Sequence, residues 1–175
     1  MDAIYQRATK IRLVIFDVDG VLTDGRLYFG AEGDEYKTFH VRDGFGMKML
    51  QASGVAIGVI TARRSKAVAL RMEALGVEYV YQGQENKVPA FENLLEKARL
   101  EAAQVAYVGD DIIDLPIMRR VGLAIAVADA HEHVKQYSHW QTTRNGGCGA
   151  AREACELIMK AQGTLDAQFQ KYISA

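Results

Sequence analysis

The feature that most constrains the fold of this chain is a series of short apolar runs that alternate with helical patterns. The runs are rich in β-branched residues, and most are almost continuously apolar, as strands are when helices cover both faces of a parallel sheet. Such alternation is typical of βαβ units. The five predicted strands are IRLVIFD (11–17), VAIGVIT (55–61), EYVYQ (78–82), VAYVGD (105–110) and LAIAVAD (123–129).

Helical periodicity fills most intervals between these runs. The predicted helices cover approximately 44–53, 65–75, 87–99, 112–120 and 149–161. Segment 25–41 breaks the alternation, because it reads as strand, glycine-containing turn and strand, which predicts a β-hairpin inserted after the first strand. With 175 residues, the chain is long enough for one sizeable core and short for two. We therefore predict an α/β fold: a single domain, 1–175, with a Rossmann-like parallel sheet and helices on both faces.

Charge and hydropathy argue against several classes of protein. The chain has 21 basic and 22 acidic residues, a balance that disfavours a nucleic-acid-binding surface. The N-terminus lacks the pattern of a signal peptide, and no run approaches the 18 or so apolar residues of a membrane span. The expected compartment is the cytoplasm, where Cys148 and Cys155 are interpreted as free thiols.

Short polar side chains gather where the predicted strands end. Asp17 and Asp19 follow the first strand and Thr61 ends the second, while Asp110 ends the fourth and precedes Asp111 and Asp114. In open parallel sheets, ligands bind at the carboxyl ends of the strands. Strand ends are also where a chain turns polar in any case, but three such ends together favour a functional site.

The DVDG segment places Asp17 and Asp19 two positions apart, and Gly20 permits a turn that brings both to one site. Two close carboxylates repel each other, and a divalent cation relieves the repulsion. Mg²⁺ prefers oxygen ligands together with substrate phosphate. The alternative is a simple Asx-turn in which Asp19 makes a local hydrogen bond.

The VGDDIID segment, 108–114, predicts a third carboxylate, Asp110, at the same edge of the sheet. Asp114 is placed to orient the ligands or to reach Lys87. Alternatively, Asp110 or Asp111 caps the following helix, which is common at this position. Capping would account for at most one of the three aspartates.

Thr61 and Lys87 complete the pattern. A hydroxyl between a strand end and a helix start can bind a phosphoryl oxygen alongside backbone N–H groups. A lysine ammonium can neutralise charge on a transferring group. Taken singly, Thr61 is better explained as a helix N-cap and Lys87 as a solvated surface residue.

Together, these four segments resemble the haloacid dehalogenase-like (HAD) hydrolase superfamily, in order, spacing and strand context. The resemblance implies that Asp17 attacks phosphorus to form an aspartyl-phosphate, while Asp19 acts as general acid and base. It implies Mg²⁺ on the Asp17 carboxylate, the Asp19 backbone carbonyl and Asp110, with Thr61 and Lys87 on the phosphoryl oxygens. The phosphatases and mutases of the superfamily carry an aspartate two residues after the nucleophile, and Asp19 matches that position.

The chain is predicted to be capless. The segments from Asp17 to Thr61 and from Thr61 to Lys87 are too short to hold the cap domain found in many relatives. Phosphoryl transfer nevertheless profits from excluding water, and a neighbouring subunit can close the site instead. The hairpin and the glycine-rich NGGCGA segment are candidates for such contacts, although both are equally well explained as ordinary parts of the fold.

The capless architecture, the hairpin, FHVRDGFGMKML and GGCGAAREACELIM narrow the resemblance to the 3-deoxy-D-manno-octulosonate 8-phosphate (KDO 8-phosphate) phosphatase family, tetrameric enzymes of lipopolysaccharide sugar synthesis. Arginines suit a substrate with a carboxylate as well as a phosphate. By this resemblance, the expected substrate-binding residues, besides Asp19 and Lys87, are His40, Val41, Arg42, Asp43, Gly44, Lys48, Arg63 and Arg71.

Two other functions stay open. A related class dephosphorylates 2-keto-3-deoxy-D-glycero-D-galacto-nononate (KDN) 9-phosphate, and only its pocket contacts would differ. A non-catalytic module that binds a phosphosugar is the second alternative. It would be expected to have lost Asp17 or Asp19, and both are present.

Overall fold

Six parallel strands form the central sheet in the computed structural model, which describes residues 1–174. The sheet strands are β1 (Leu13–Phe16), β4 (Ala56–Ile60), β5 (Tyr79–Tyr81), β6 (Val105–Gly109), β7 (Leu123–Ala126) and β8 (Trp140–Gln141). Their spatial order is β5-β4-β1-β6-β7-β8. The short strands β2 (Tyr28–Phe29) and β3 (Glu35–Tyr36) pair antiparallel and form the hairpin that follows β1. The predicted α/β class, parallel sheet and inserted hairpin are confirmed.

Strand β1 lies between β4 and β6, and every residue in it is apolar and fully buried. Phe16 pairs with Val59 of β4 on one side and with Val108 of β6 on the other. The sequence runs outward from β1 to β4 and β5 and then returns to β6 on the opposite side. The strand order therefore reverses between β1 and β6, and in open parallel sheets ligands bind at the carboxyl ends of the strands where this reversal occurs.

Eight α-helices surround the described part of the sheet. They are α1 (Asp2–Ala8), α2 (Val41–Ala52), α3 (Lys66–Leu75), α4 (Val88–Ala98), α5 (Leu115–Met118), α6 (Glu132–Tyr137), α7 (Ala150–Ala161) and α8 (Leu165–Ile173). Helix α7 packs against α1, α2 and α8, whereas α5 packs against α4 and α6. No helix within residues 1–174 is both long and apolar enough to cross a membrane.

Several elements differ from the sequence-based boundaries. The predicted helix 112–120 is a 3₁₀ turn, Ile112–Asp114, followed by one short turn of α-helix. Pro116 lies at the start of that turn and has no N–H for an intrahelical hydrogen bond. Strand β8 and helices α1, α6 and α8 were not predicted. Strand β8 has only two residues, too few to display an alternation.

Helix α2 begins three residues before the predicted start and contains two glycines. A Cβ added to Gly46 would lie 3.0 Å from the Cα of Arg152 in α7. The two helices therefore approach too closely for a side chain at this position. The glycine, which lowers helix propensity, is required by packing.

His139 directly precedes the edge strand β8 and makes two hydrogen bonds with Ala124 of β7. Its backbone N–H donates to the carbonyl of Ala124, and its Nδ1 accepts a hydrogen bond from the N–H of Ala124 at 2.8 Å. Burial, followed by repulsion from Arg7, lowers the pKa of His139 below the ordinary 6.5. A protonated imidazole cannot accept this hydrogen bond, so the fold favours the neutral ring.

The free energy of unfolding is therefore expected to depend on the protonation of His139. Because the pKa is lower in the folded state, the contribution is complete above the unfolded value of 6.5 and is lost as the pH falls below it. The variant His139→Asn keeps an acceptor but does not titrate. Urea unfolding at pH 7.5 and 5.5 should show a smaller loss of stability in this variant than in the wild type. The exposed His133 supplies the control, His133→Asn, and an equal loss in all three proteins would contradict the assignment.

Candidate functional site

Asp17 is the first residue after β1 and is 4% exposed. Its backbone N–H continues the parallel pairing by donating to Val108, and its Oδ1 accepts the N–H of Val18 at 2.7 Å. Burial, followed by repulsion from Asp114, raises the pKa of Asp17 to about 7. The backbone fixes one carboxylate oxygen, while Oδ2 faces the centre of the cluster.

Lys87 lies between two carboxylates at the start of α4. Its Nζ is 2.9 Å from Asp17 Oδ2 and 2.7 Å from Asp114 Oδ1, and its side chain is fully buried. Burial acts to lower the pKa of Lys87, but attraction to Asp114 and Asp17 outweighs it and raises the pKa above its ordinary value. The interpretation of Lys87 as a solvated surface residue is therefore wrong.

Asp114 holds this arrangement together, as its spacing from Asp110 suggested. Its Oδ1 accepts from Lys87 and from the hydroxyl of Tyr107, each at 2.7 Å. Its Oδ2 accepts from the backbone N–H groups of Asp110 and Asp111. Four donors occupy the carboxylate, which suits it to orient other groups more than to bind a ligand.

Tyr107 is a site residue that sequence reasoning missed. It lies inside β6 and is completely buried, and its hydroxyl donates to Asp114 and accepts from Lys87 at 3.2 Å. Burial, followed by repulsion from Asp114, raises its pKa well above the ordinary value. The available signal was a lone tyrosine within an otherwise apolar strand, since a buried hydroxyl needs a partner.

Asp110 follows β6 and lies beside Asp17, because β1 and β6 are neighbours. One carboxylate oxygen each from Asp17, Asp110 and Asp114 lie within 4.8 Å of one another. Burial, followed by repulsion from Asp114, raises the pKa of Asp110 to about 8, and its buried Oδ1 has no hydrogen-bond partner. An unpartnered oxygen in an acidic cluster with a single lysine fits a divalent cation.

Gly20 allows the DVDG loop to pass close to Asp110. It has a φ of +87°, and a Cβ at this position would lie 2.6 Å from Asp110 Cγ. The hydroxyl of Thr23 donates to the carbonyl of Val18 and accepts from the N–H groups of Gly20 and Gly25. Thr23, which sequence reasoning did not single out, therefore closes the loop that follows Asp17.

Asp19 is placed differently from the clustered carboxylates. Its Oδ1 accepts a hydrogen bond from Lys37 at the base of the hairpin. Lys37 also lies 3.0 Å from Glu35, whose other oxygen accepts from Arg63 at 2.8 Å. This bond from Arg63, followed by those from Lys37, lowers the pKa of Glu35 although burial opposes it.

Thr61 follows β4 and is 2% exposed. Its backbone N–H donates to Tyr81 and its carbonyl accepts from Gln84. Asp111 accepts the N–H of Ile112 and thus caps the 3₁₀ turn, as one of the two sequence interpretations expected.

Two residues after the hairpin line a cavity beside the start of α7. His40, at the N-cap of α2, and Arg42 line a cavity of about 610 Å³ with Arg144, Cys148 and Arg152. Among the described residues, none of the clustered aspartates lines it.

A second, narrow pocket is lined by His40, Asp43, Gly44 and Arg71, among others. Asp43 is buried, and it accepts the N–H groups of Gly149 and Arg152, which ties α2 to the start of α7. Val41 and Lys48 are exposed on α2.

The glycine-rich NGGCGA segment packs on the DVDG loop of the same chain. A Cβ at Gly146 would lie 2.5 Å from the carbonyl carbon of Gly20, and Gly147 donates its N–H to the carbonyl of Val21. Asp129 accepts the N–H of Gly146 at 2.9 Å. Cys148 is exposed and Cys155 is buried, and both thiols are free.

Comparison with known proteins agrees with this geometry. Residues 76–153 match the family model of haloacid dehalogenase-like hydrolases. The chain is 47% identical over 165 residues to the 3-deoxy-D-manno-octulosonate 8-phosphate phosphatase of Yersinia pestis, covering 94% of this chain and 88% of that protein.

Solved structures are also similar over nearly the whole length. A probable YrbI family phosphatase of Pseudomonas syringae has a TM-score of 0.97 and 50% identity, covering 99% of this chain and 98% of the other. The 3-deoxy-D-manno-octulosonate 8-phosphate phosphatase of Moraxella catarrhalis, in complex with a magnesium ion, a phosphate ion and KDO, has a TM-score of 0.96 and 42% identity, with 98% and 99% covered.

The Tyr107 hydroxyl is expected to contribute to stability through Asp114. The variant Tyr107→Phe removes one donor to a fully buried carboxylate and should lower the free energy of unfolding by about 1–2 kcal/mol. Urea denaturation measures the difference. Tyr137→Phe, at an exposed tyrosine, is the control and should stay within about 0.5 kcal/mol of the wild type. Equal stabilities for all three proteins would contradict the role given to this hydroxyl.

Proposed function

This chain belongs to the KDO 8-phosphate phosphatase family of haloacid dehalogenase-like hydrolases, and we propose that it hydrolyses KDO 8-phosphate to KDO and inorganic phosphate in lipopolysaccharide sugar synthesis. The observation that carries the proposal is the buried cluster in which Lys87 bridges Asp17 and Asp114 beside Asp110. The chain that carries this cluster is similar, over 94% of its own length, to a phosphatase named for KDO 8-phosphate.

In the first half-reaction, an oxygen of Asp17 attacks phosphorus. A bond forms between this oxygen and phosphorus while the bond from phosphorus to the sugar oxygen breaks, which gives an aspartyl-phosphate. Asp19, as the general acid, gives its proton to the departing sugar oxygen. The fixed orientation of Asp17, held by the N–H of Val18 and by Lys87, supports its role as nucleophile.

In the second half-reaction, water attacks the phosphorus of the aspartyl-phosphate. Asp19, now the general base, accepts the proton of this water. The bond from phosphorus to Asp17 breaks, which restores the Asp17 carboxylate and releases inorganic phosphate. Asp19 thus ends the cycle protonated, ready for the next ester.

The cofactor is Mg²⁺, and the carboxylates of Asp17 and Asp110 with the main-chain carbonyl of Asp19 would hold it. When bound, it supplies positive charge that lets the phosphate approach a group of carboxylates. The unpartnered oxygen of Asp110 and the raised pKa values of Asp17 and Asp110 support this ligand set. Asp114, whose oxygens already accept four hydrogen bonds, supports the site through Lys87.

Thr61 and Lys87 are proposed to bind the phosphoryl oxygens. Thr61 directly follows β4, the neighbour of β1, so it lies at the same edge of the sheet as Asp17. Lys87 offers an ammonium already held 2.9 Å from the nucleophile. A cation in this position stabilises negative charge that spreads over the phosphoryl group during transfer.

The carboxylate and hydroxyls of the sugar acid are proposed to be bound mainly by residues of the segment after the hairpin and by two arginines. The proposed residues are His40, Val41, Arg42, Asp43, Gly44, Lys48, Arg63 and Arg71, with Asp19 and Lys87. Of the arginines, Arg63 is linked through Glu35 and Lys37 to Asp19. KDN 9-phosphate is the alternative substrate, because it presents the same two charged groups.

We further propose a single-domain, cytoplasmic enzyme that assembles as a homotetramer, with each site closed by a neighbouring subunit. The hairpin exposes Leu27, Phe29 and Tyr36, which are 46%, 63% and 58% exposed. A cluster of large apolar side chains on an exposed hairpin supports contact with a second copy.

Phosphate release from a panel of sugar phosphates, with and without Mg²⁺, tests the substrate. KDO 8-phosphate should be hydrolysed faster than neutral hexose phosphates, because only the sugar acid gives the arginines a carboxylate to bind, and removal of Mg²⁺ should abolish turnover. Equal rates on the two kinds of ester would contradict the substrate assignment, and faster turnover of KDN 9-phosphate would favour the alternative. Asp17→Asn protein is the control, and full activity in this variant would contradict the mechanism.

Disruption of the hairpin surface tests the assembly. The variant Phe29→Asp places a charge on the proposed contact, so we expect a smaller particle by light scattering and reduced turnover of KDO 8-phosphate. Ile173→Asp, which changes an exposed apolar residue on α8, is the matched control and should retain the tetramer. A monomeric wild type with full turnover would overturn the shared site.

A further inference from the structure

A chain of charged side chains runs along the base of the hairpin. Lys37, which follows β3, donates to Asp19 Oδ1, and its Nζ also lies 3.0 Å from Glu35 Oε1. The second oxygen of Glu35 accepts from Arg63 Nη2 at 2.8 Å. The hairpin thus connects the proposed acid/base residue to a proposed substrate-binding arginine.

Burial distinguishes this network from a surface ion pair. The side chain of Lys37 is 1% exposed, whereas those of Glu35 and Asp19 are 18% and 21% exposed. An exposed pair contributes little, because each side chain is as well solvated apart as together. Burying an ammonium without partners costs free energy, so Lys37 stays beside the carboxylates of Asp19 and Glu35.

We propose that Lys37 is a positioning residue for Asp19, the general acid and base, and that Glu35 fixes Lys37 for this task. The proposal rests on the proposed function, because it requires that Asp19 transfers protons to and from the reacting oxygens. The hairpin then has a role inside its own subunit, in addition to any contact with a neighbour.

Asp19 lies in the loop after β1, so its side chain needs a partner that fixes its position. The backbone N–H of Val18 and Lys87 orient Asp17, but Lys37 is the partner that the described residues give the Asp19 carboxylate. A general acid must come within hydrogen-bond reach of the oxygen that it protonates. Small displacements of a catalytic group can cost about a hundredfold in rate.

This role predicts a dependence on the leaving group that a merely structural role would not produce. A sugar alkoxide leaves only with a proton from Asp19, whereas p-nitrophenolate leaves without one. The value of kcat/KM reports the steps up to departure of the leaving group. Loss of Lys37 should therefore lower kcat/KM for alkyl phosphates far more than for p-nitrophenyl phosphate.

The experiment compares Lys37→Met with the wild type on KDO 8-phosphate and p-nitrophenyl phosphate at saturating Mg²⁺. We expect kcat/KM for KDO 8-phosphate to fall by about ten- to a hundredfold. The fall should lie mainly in kcat. For p-nitrophenyl phosphate, kcat/KM should change by no more than about threefold. Lys37→Arg, which keeps a cation, should restore part of the loss. Lys10→Met, at an exposed lysine, is the matched control and should leave both substrates unchanged.

Asp19→Asn is measured in parallel. Because this variant lacks the general acid, its difference in kcat/KM loss between the two substrates is the largest expected for Lys37→Met. Equal losses of kcat/KM on both substrates in Lys37→Met would overturn the proposal, and so would unchanged kinetics. Retained hydrolysis of p-nitrophenyl phosphate shows at the same time that the variant is folded. A wild type that prefers another alkyl phosphate would overturn the substrate assignment alone, and the Lys37 comparison would then be made with that ester.

Discussion

The buried ammonium of Lys87 is the interaction on which the rest of the site depends. It lies 2.9 Å from Asp17 and 2.7 Å from Asp114, and its side chain is fully buried. Without it, Asp17, Asp110 and Asp114 would present three carboxylates within a few ångströms at the end of a buried sheet. One cation only partly offsets three carboxylates, and the pKa values of Asp17 and Asp110 are raised first by burial and then by the repulsion from Asp114 that remains. The site therefore fits a divalent cation because its charges are incompletely balanced.

Two loops distant in sequence maintain the geometry around this cluster. The glycine segment at 146–147 packs on the backbone of the DVDG loop so closely that no side chain fits at Gly146. The hairpin reaches the same loop from another direction, through the contact of Lys37 with Asp19. The strand ends supply the clustered carboxylates, while these loops pack around the segment that follows β1. This division is common in α/β folds, where a rigid sheet carries irregular functional loops.

The charged network at the hairpin connects two residues with different proposed roles, Asp19 and Arg63. Glu35 contacts both Lys37 and Arg63, so the same carboxylate affects the proposed acid/base residue and a proposed substrate-binding residue. Asp43, by contrast, was expected among the substrate-binding residues, and its described contacts tie α2 to α7. Asp43 can therefore influence the site by holding the backbone at the start of α7 in place. Its effect on substrate remains a prediction.

The sequence alone determined the parallel α/β sheet, the hairpin after β1 and the convergence of Asp17 and Asp110 at one edge. Apolar continuity identifies buried strands, and parallel strands place their carboxyl ends together, so these conclusions need only local pattern and topology. Only the tertiary structure decided which partners the polar groups have. The Tyr107 hydroxyl meets Asp114 because the turn after β6 folds back on that strand. The ion pair of Lys37 with Asp19 and the packing of Gly146 on Gly20 join separate segments of the chain. No local periodicity encodes such contacts, because they depend on how the loops fold over the completed sheet.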